Sequence, residues 1–134
     1  MKFMTFEELI KESSSKNKKI YELIQEQEAQ EADVEVEVVR QKVKLNIDTM
    51  RSTIKTGMVS QEKAISNWCG DDCVKLQKRY SKQNALFGKL FEKIITYSLA
   101  TIEENLRMGK IVACPTAGSC GIGPAVLVAV SEEY

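Results

Sequence analysis

Four cysteines, Cys69, Cys73, Cys114 and Cys120, are the residues of this chain best suited to hold a metal or act as nucleophiles, and no histidine accompanies them. Without imidazole, histidine acid–base chemistry cannot come from these 134 residues. Cys69 and Cys73 are spaced C-x3-C and share a helical face only if a helix starts before Cys69, which Gly70 opposes. Two thiolates with no close third or fourth ligand are a weak metal signal, and packing is the stronger reading of that pair. Cys114 and Cys120 bracket a run of small residues, PTAGS, which continues into Gly121 and Gly123.

That run suits an anion. Gly118, Gly121 and Gly123 remove side chains, so backbone amides can come close to a ligand. Thr116 and Ser119 add hydroxyl donors, and the helix expected after Pro124 points its positive end at the loop. A small carboxylate or phosphate could be held there without formal charge from the protein. Cys120 stands at the mouth of that helix, where amides and dipole favour the thiolate that binds iron. A tight turn feeding a core helix, with Cys120 simply buried, accounts for the same residues equally well.

The elements that would position this loop read as helices. Thr5 and Glu8 form a capping box for a short helix carrying Phe6, Leu9 and Ile10, which the Ser13–Ser15 run is expected to break. Asn17 can cap a second helix bearing Ile20, Leu23 and Ile24, whose far end is acidic and solvated. Alternation over Val34–Val38 suggests a strand. However, Val36, Val39, Val43, Ile47, Met50 and Ile54 recur every three or four residues and favour a helix over about 34–56, with Gly57 as its stop. A loop around Trp68–Gly70 leads to a helix from Asp71 or Asp72 to about Tyr80. Asn84 precedes a strong helix with Leu86, Leu90, Ile94, Tyr97 and Leu99 on its apolar face, joined by Phe87, Phe91 and Ile102, and Gly109 ends it. Lys110–Cys114 is a short extended run, and Pro115 keeps Cys114 out of helical geometry. Pro124 suits a first helical turn, and AVLVAVSEEY forms a helix apolar on nearly every side, the pattern of a helix buried in a domain centre. The sequence stops at Tyr134 before anything that could surround that helix, which points to a missing remainder.

Length allows one domain over residues 1–134, and the expected fold is all-α: a helical bundle with a Gly-rich loop before a buried C-terminal helix. With 19 basic and 19 acidic residues the formal net charge is zero, so no field draws the chain to nucleic acid. No run approaches the roughly 20 apolar residues that span a bilayer, and the N-terminus lacks a signal peptide's apolar stretch. A cytoplasmic location follows as the expectation, with thiols kept reduced and structural disulfides disfavoured.

The segment Lys110–Val128, KIVACPTAGSCGIGPAVLV, resembles the signature of iron–sulfur-dependent L-serine dehydratases (L-serine ammonia-lyases), whose alpha chains carry a stretch close to GRIVAAPTAGSCGILPAVL. Ile102–Gly109, IEENLRMG, resembles that family's NEVNAAMG, with Glu104, Asn105, Met108 and Gly109 in register. Asn67–Gln77, NWCGDDCVKLQ, is similar to a weaker element near GLTGGDAKKLQ. The resemblance implies a pyridoxal-free lyase of the N-terminal part of an alpha chain. In such a lyase a cysteine-held 4Fe–4S cluster acts as Lewis acid on the serine hydroxyl while a base removes the alpha proton, and the products are pyruvate and ammonia. By position Cys120 matches the first cluster ligand, with the remaining ligands in a cysteine-rich region outside this chain. Thr116, Ala117, Gly118 and Ser119 match the loop that cradles the substrate carboxylate. The departures are Cys114 in place of a small residue such as Ala, read as packing, Gly123 in place of Leu, Ile or Val, and Cys69-Gly70-Asp71-Asp72 where the family has Gly-Gly. The partners implied are L-serine, a beta chain or a missing C-terminal half, and a dimeric assembly. The competing expectation is a truncated or split chain that binds a complementary half without catalysis and exposes an apolar surface around Ile122–Val130. The sequence leaves open the catalytic base and the preference among serine, threonine and cysteine-type substrates.

Overall fold

A computed structural model of the chain describes residues 5–82 and 87–134. Among the described residues the fold is all-α: six helices, one 3-10 turn and no strand. The helices are α1 (Phe6–Lys16), α2 (Ile20–Glu31), α3 (Val36–Val59), α4 (Asp72–Tyr80), α5 (Lys89–Leu106) and α6 (Ile122–Glu133). The chain divides into two compact units, the first running to Leu45 and the second starting at Asn46.

In the first unit the capping box forms as expected: the Thr5 amide donates to Glu8 Oε2 at 2.8 Å and the Glu8 amide donates to Thr5 Oγ1 at 3.3 Å. The serine run does not break α1. Ser15 Oγ donates to the Glu12 carbonyl one turn back and Ser13 Oγ to the Lys18 carbonyl, so the hydroxyls serve the backbone and the helix continues to Lys16. Asn17 is the C-cap of α1 in left-handed geometry (φ 49°), a conformation asparagine tolerates, and not the N-cap of α2. The α2 start is instead closed by Glu22 Oε2, which accepts from the Lys19 amide at 2.7 Å. Leu23 and Ala29 are the buried residues of α2.

The second unit is organised around α5. The Val34–Val38 alternation lies at the entrance to α3, and the three–four spacing wins there as expected. Gly57, however, is not a stop. It is buried inside α3, where a Cβ would stand 2.2 Å from the Ala100 carbonyl oxygen of α5, and the helix runs on to Val59. Met50 and Ile54 of α3 pack with Val128 of α6, joined by Met58, Tyr97, Val112 and Cys114. The same apolar stripe further back is open to solvent at Val43 and Ile47. On α5 the buried residues are Thr96, Ala100, Thr101 and Glu103. The larger Phe87, Phe91 and Ile102 of the expected face are exposed. Asn84 and Leu86 lie outside the described residues. After Leu106 the left-handed residue is Met108 (φ 64°), and the Gly109 amide donates to the Glu104 carbonyl at 2.8 Å, closing the helix end. Trp68 is almost fully exposed, in the loop before α4.

Candidate functional site

The loop follows α5 and is anchored at its start by α3. The Thr53 hydroxyl, buried, lies 2.6 Å from the Lys110 carbonyl oxygen and 2.9 Å from that of Thr49. Beyond it, Val112 and Cys114 lean on the Met50–Ile54–Val128 core, which fixes the approach to the turn. The Cys114–Pro115 peptide bond is cis. Residues Ala117–Ser119 then make one 3-10 turn, and Cys120 follows as its cap.

Ser119 closes this turn on itself. Its Oγ donates to the Cys114 carbonyl at 3.0 Å and accepts from the Thr116 amide at 3.2 Å, with the Thr116 hydroxyl also at 3.2 Å. The Ser119 amide donates to the Thr116 carbonyl and the Cys120 amide to that of Ala117. The Ala117 and Gly118 amides make no such bond to the loop's own carbonyls. Thr116, Ala117 and Gly118 are exposed, Ser119 is half-buried and Cys120 is 3% exposed. The donors without a partner inside the turn are therefore the Ala117 and Gly118 amides, while the Thr116 and Ser119 hydroxyls work inward.

The three glycines divide the same way. A Cβ on Gly121 would meet the Ile102 side chain of α5 at 2.5 Å, and one on Gly123 would stand 2.4 Å from the Cys114 carbonyl oxygen. Both are needed to seat the start of α6 against its neighbours. A Cβ on Gly118 would meet only Thr116 Oγ1, at 3.8 Å. Gly118 is thus the one loop glycine whose bareness serves no internal packing.

The other cysteines stand apart. Cys73, fully buried in the first turn of α4, has its Sγ 3.4 Å from the Thr96 carbonyl oxygen. Burial, reinforced by the nearby Glu103 carboxylate, pushes this thiol up to about 11, so at neutral pH it carries its proton. Thr96, Ala100, Glu103 and Arg107 share one side of α5 and face α4 and its preceding loop. Ser98 and Ile102, roughly 200° around the helix at about 100° per residue, face Gly121. Cys73 and the Cys120 loop are therefore on opposite sides of α5. No three Cys, Asp or Glu side chains among the described residues gather as a metal group. A 4Fe–4S cluster held by these four cysteines does not fit this arrangement. Cys120 adjoins the exposed turn and is itself buried.

Sequence reasoning missed the strongest polar construction in the molecule. Glu103, 2% exposed, accepts from the Asp72 amide at 2.6 Å and the Cys73 amide at 3.2 Å through Oε1, and from Arg107 at 3.2 Å through Oε2. Arg107 also donates to the carbonyls of Glu62 and Gly70 and to Glu104. The pair thus pins the 62–73 loop and the α4 start to α5. Its signal was present as an i,i+4 Glu–Arg pair in phase with Thr96 and Ala100, inside a helix otherwise read for its apolar face. A hollow of about 730 Å³ between α4 and α5, lined in part by Gln77, Tyr80, Thr96 and Tyr97, takes no residue from the Cys120 loop.

The family model described as serine dehydratase alpha chain matches residues 15–134, a stretch that contains the whole loop. This chain belongs to the serine dehydratase alpha chain family. It is 34% identical over 131 residues to a protein of Peptoniphilus asaccharolyticus named L-serine dehydratase, alpha chain, covering 97% of this chain and 44% of that protein. It is 32% identical over 133 residues to the probable L-serine dehydratase, alpha chain, of Bacillus subtilis (strain 168), covering 98% of this chain and 43% of that protein. The chain thus spans less than half the length of either alpha-chain relative. No solved structure matches it. Among the described residues no helix is long and apolar enough to cross a membrane.

Proposed function

We propose that this chain is part of the alpha chain of an iron–sulfur-dependent L-serine dehydratase, which deaminates L-serine to pyruvate and ammonia. It contributes Cys120 as one ligand of a 4Fe–4S cluster and the Thr116–Ser119 turn as the seat of the substrate carboxylate. The observation that carries this reading is the family match over 15–134, because the matched stretch includes an exposed turn, next to Cys120, in which the Ala117 and Gly118 amides make no bond to the loop's own carbonyls.

When bound, the cluster supplies a Lewis-acidic iron for the serine hydroxyl. The residues of this chain bind and orient. The Ala117 and Gly118 amides donate to a carboxylate, the Thr116 hydroxyl holds Ser119 beside them, and the α6 N-terminus behind them adds its positive end. Ser119, bonded to Cys114 and Thr116, holds the turn in shape and supports the substrate indirectly. Cys120 must give up its thiol proton to bind iron, and its sulfur is nearly covered by the chain's own atoms. Ligation at this position therefore requires the turn to open or the rest of the alpha chain to complete a cavity over it. The other cluster ligands come from outside these residues. A beta chain and a dimeric assembly complete the proposal, acting in the cytoplasm, where thiols stay available for iron.

A second reading, a binding half with no catalysis, is favoured by one observation: the outer face of α6 is apolar and exposed. Anaerobic reconstitution with iron and sulfide separates the two. The dehydratase reading expects brown absorbance and pyruvate from L-serine once the portion of an alpha chain outside the matched stretch is supplied, and loss of both in Cys120→Ser. Assembly with that portion but no iron uptake and no pyruvate would leave only the binding reading.

A further inference from the structure

α6 has two apolar faces, and the rest of the chain uses one. Pro124, Ala125, Val128 and Ala129 are buried, packed chiefly on α5. Ile122, Val126, Leu127 and Val130 are exposed by 63, 37, 55 and 37%. At about 100° per residue the two sets fill separate arcs of the helix, so the exposed residues form a continuous stripe and are not scattered positions. No charged residue interrupts the stripe before Glu132. Ile102 of α5, 39% exposed and seated against Gly121, carries the patch across the α5–α6 seam. An uncharged patch of this kind on a family member marks a surface made to be covered.

What covers it is narrowed by length and by place. The curated relatives match nearly all of this chain yet are more than twice as long, so most of an alpha chain lies outside the matched stretch and must pack against it. The stripe also begins at Ile122, two residues after Cys120. A segment seated there runs alongside the loop that lacks cluster ligands. A second copy of this chain would cover the aliphatic side chains but, sharing the same distribution of cysteines, would bring no grouped ligands to Cys120.

Resting on the dehydratase reading above, we infer that the outer face of α6, extended by Ile102, is the seat of the remaining portion of the alpha chain, received as an uncharged aliphatic surface. The test co-expresses the 134-residue chain with the portion of the Bacillus subtilis alpha chain outside the matched stretch and measures their co-purification. Leu127→Glu should lower recovery by at least tenfold with an unchanged circular dichroism spectrum, whereas Ile65→Glu, at a more exposed position in the loop before α4, should not. Equal recovery for both variants overturns the inference. So does a homodimer of the chain alone that Leu127→Glu dissociates, since a second copy would then be the occupant. If the added portion does not fold when separate, the two are joined in one polypeptide and maleimide labelling of Leu127→Cys is timed. Labelling at least tenfold slower than in the chain alone supports the inference, and equal rates overturn it. Protection of this position without iron uptake would retain the docking face and discard the dehydratase reading, so the two failures are distinct.

Discussion

Gly118 and Gly123 separate two tasks that a Gly-rich loop combines. Gly123 is required by packing: a methyl group there meets the Cys114 carbonyl, and Gly123→Ala should cost about 1–3 kcal/mol, read as a lower thermal midpoint. Gly118 faces open space, so Gly118→Ala should leave stability within roughly 0.5 kcal/mol. If backbone approach to a carboxylate is its purpose, the same variant should lower kcat/KM for L-serine in the completed enzyme by roughly tenfold or more. Activity equal to wild type would remove Gly118 from the site. The sequence made the loop and its glycines visible but could not divide their labour, because that depends on which backbone lies opposite each missing Cβ. Ser119 shows the same limit: its hydroxyl suits a ligand by type, and the turn uses it internally. Cys73 carries a pH signature. Its thiol is held at about 11 in the fold against an ordinary value of 9.0. The unfolded chain therefore loses this proton first, and the contribution is intact below pH 9 and lost as pH rises towards 11. The urea midpoint should fall over that interval, and less steeply in Cys73→Ala, although that variant is less stable at pH 8. Identical slopes would contradict the assigned environment.

At the scale of elements, α5 is the common partner of α4 and α6, and close approach is achieved by small residues and one buried ion pair. Gly57 lets α3 touch the Ala100 carbonyl, and Gly57→Ala should destabilise by about 1–3 kcal/mol or more, since the atom it meets is backbone. Glu103→Ala removes the acceptor for two amides and leaves the nearly buried Arg107 without that partner, a loss of about 3–5 kcal/mol in chemical denaturation. Glu103→Gln should retain part of it; an exposed-residue effect under about 1 kcal/mol for Glu103→Ala would refute the clamp. Helix positions were largely legible from three–four spacing. Their ends were less so, because Gly57 reads locally as a stop and Asn17 as a start, while tertiary contact at Ala100 and left-handed geometry at Asn17 decide otherwise. The Glu103–Arg107 clamp joins residues more than thirty positions apart, beyond the reach of periodicity.

At the scale of the molecule, the chain belongs to the serine dehydratase alpha chain family, and its second unit folds around α5, leaving the outer face of α6 exposed and Cys120 buried beneath the adjoining turn. For the proposed cluster, ligand arithmetic is the consequence: it needs more thiolates than the described residues gather, and Cys120 is the cysteine that adjoins the exposed turn. The decisive measurement is iron content per chain after anaerobic reconstitution of the completed alpha chain, compared across Cys69→Ser, Cys73→Ser, Cys114→Ser and Cys120→Ser. The account predicts that Cys120→Ser alone loses most of its iron and its brown absorbance. Full iron in Cys120→Ser, or an equal loss in Cys69→Ser or Cys114→Ser, would contradict it.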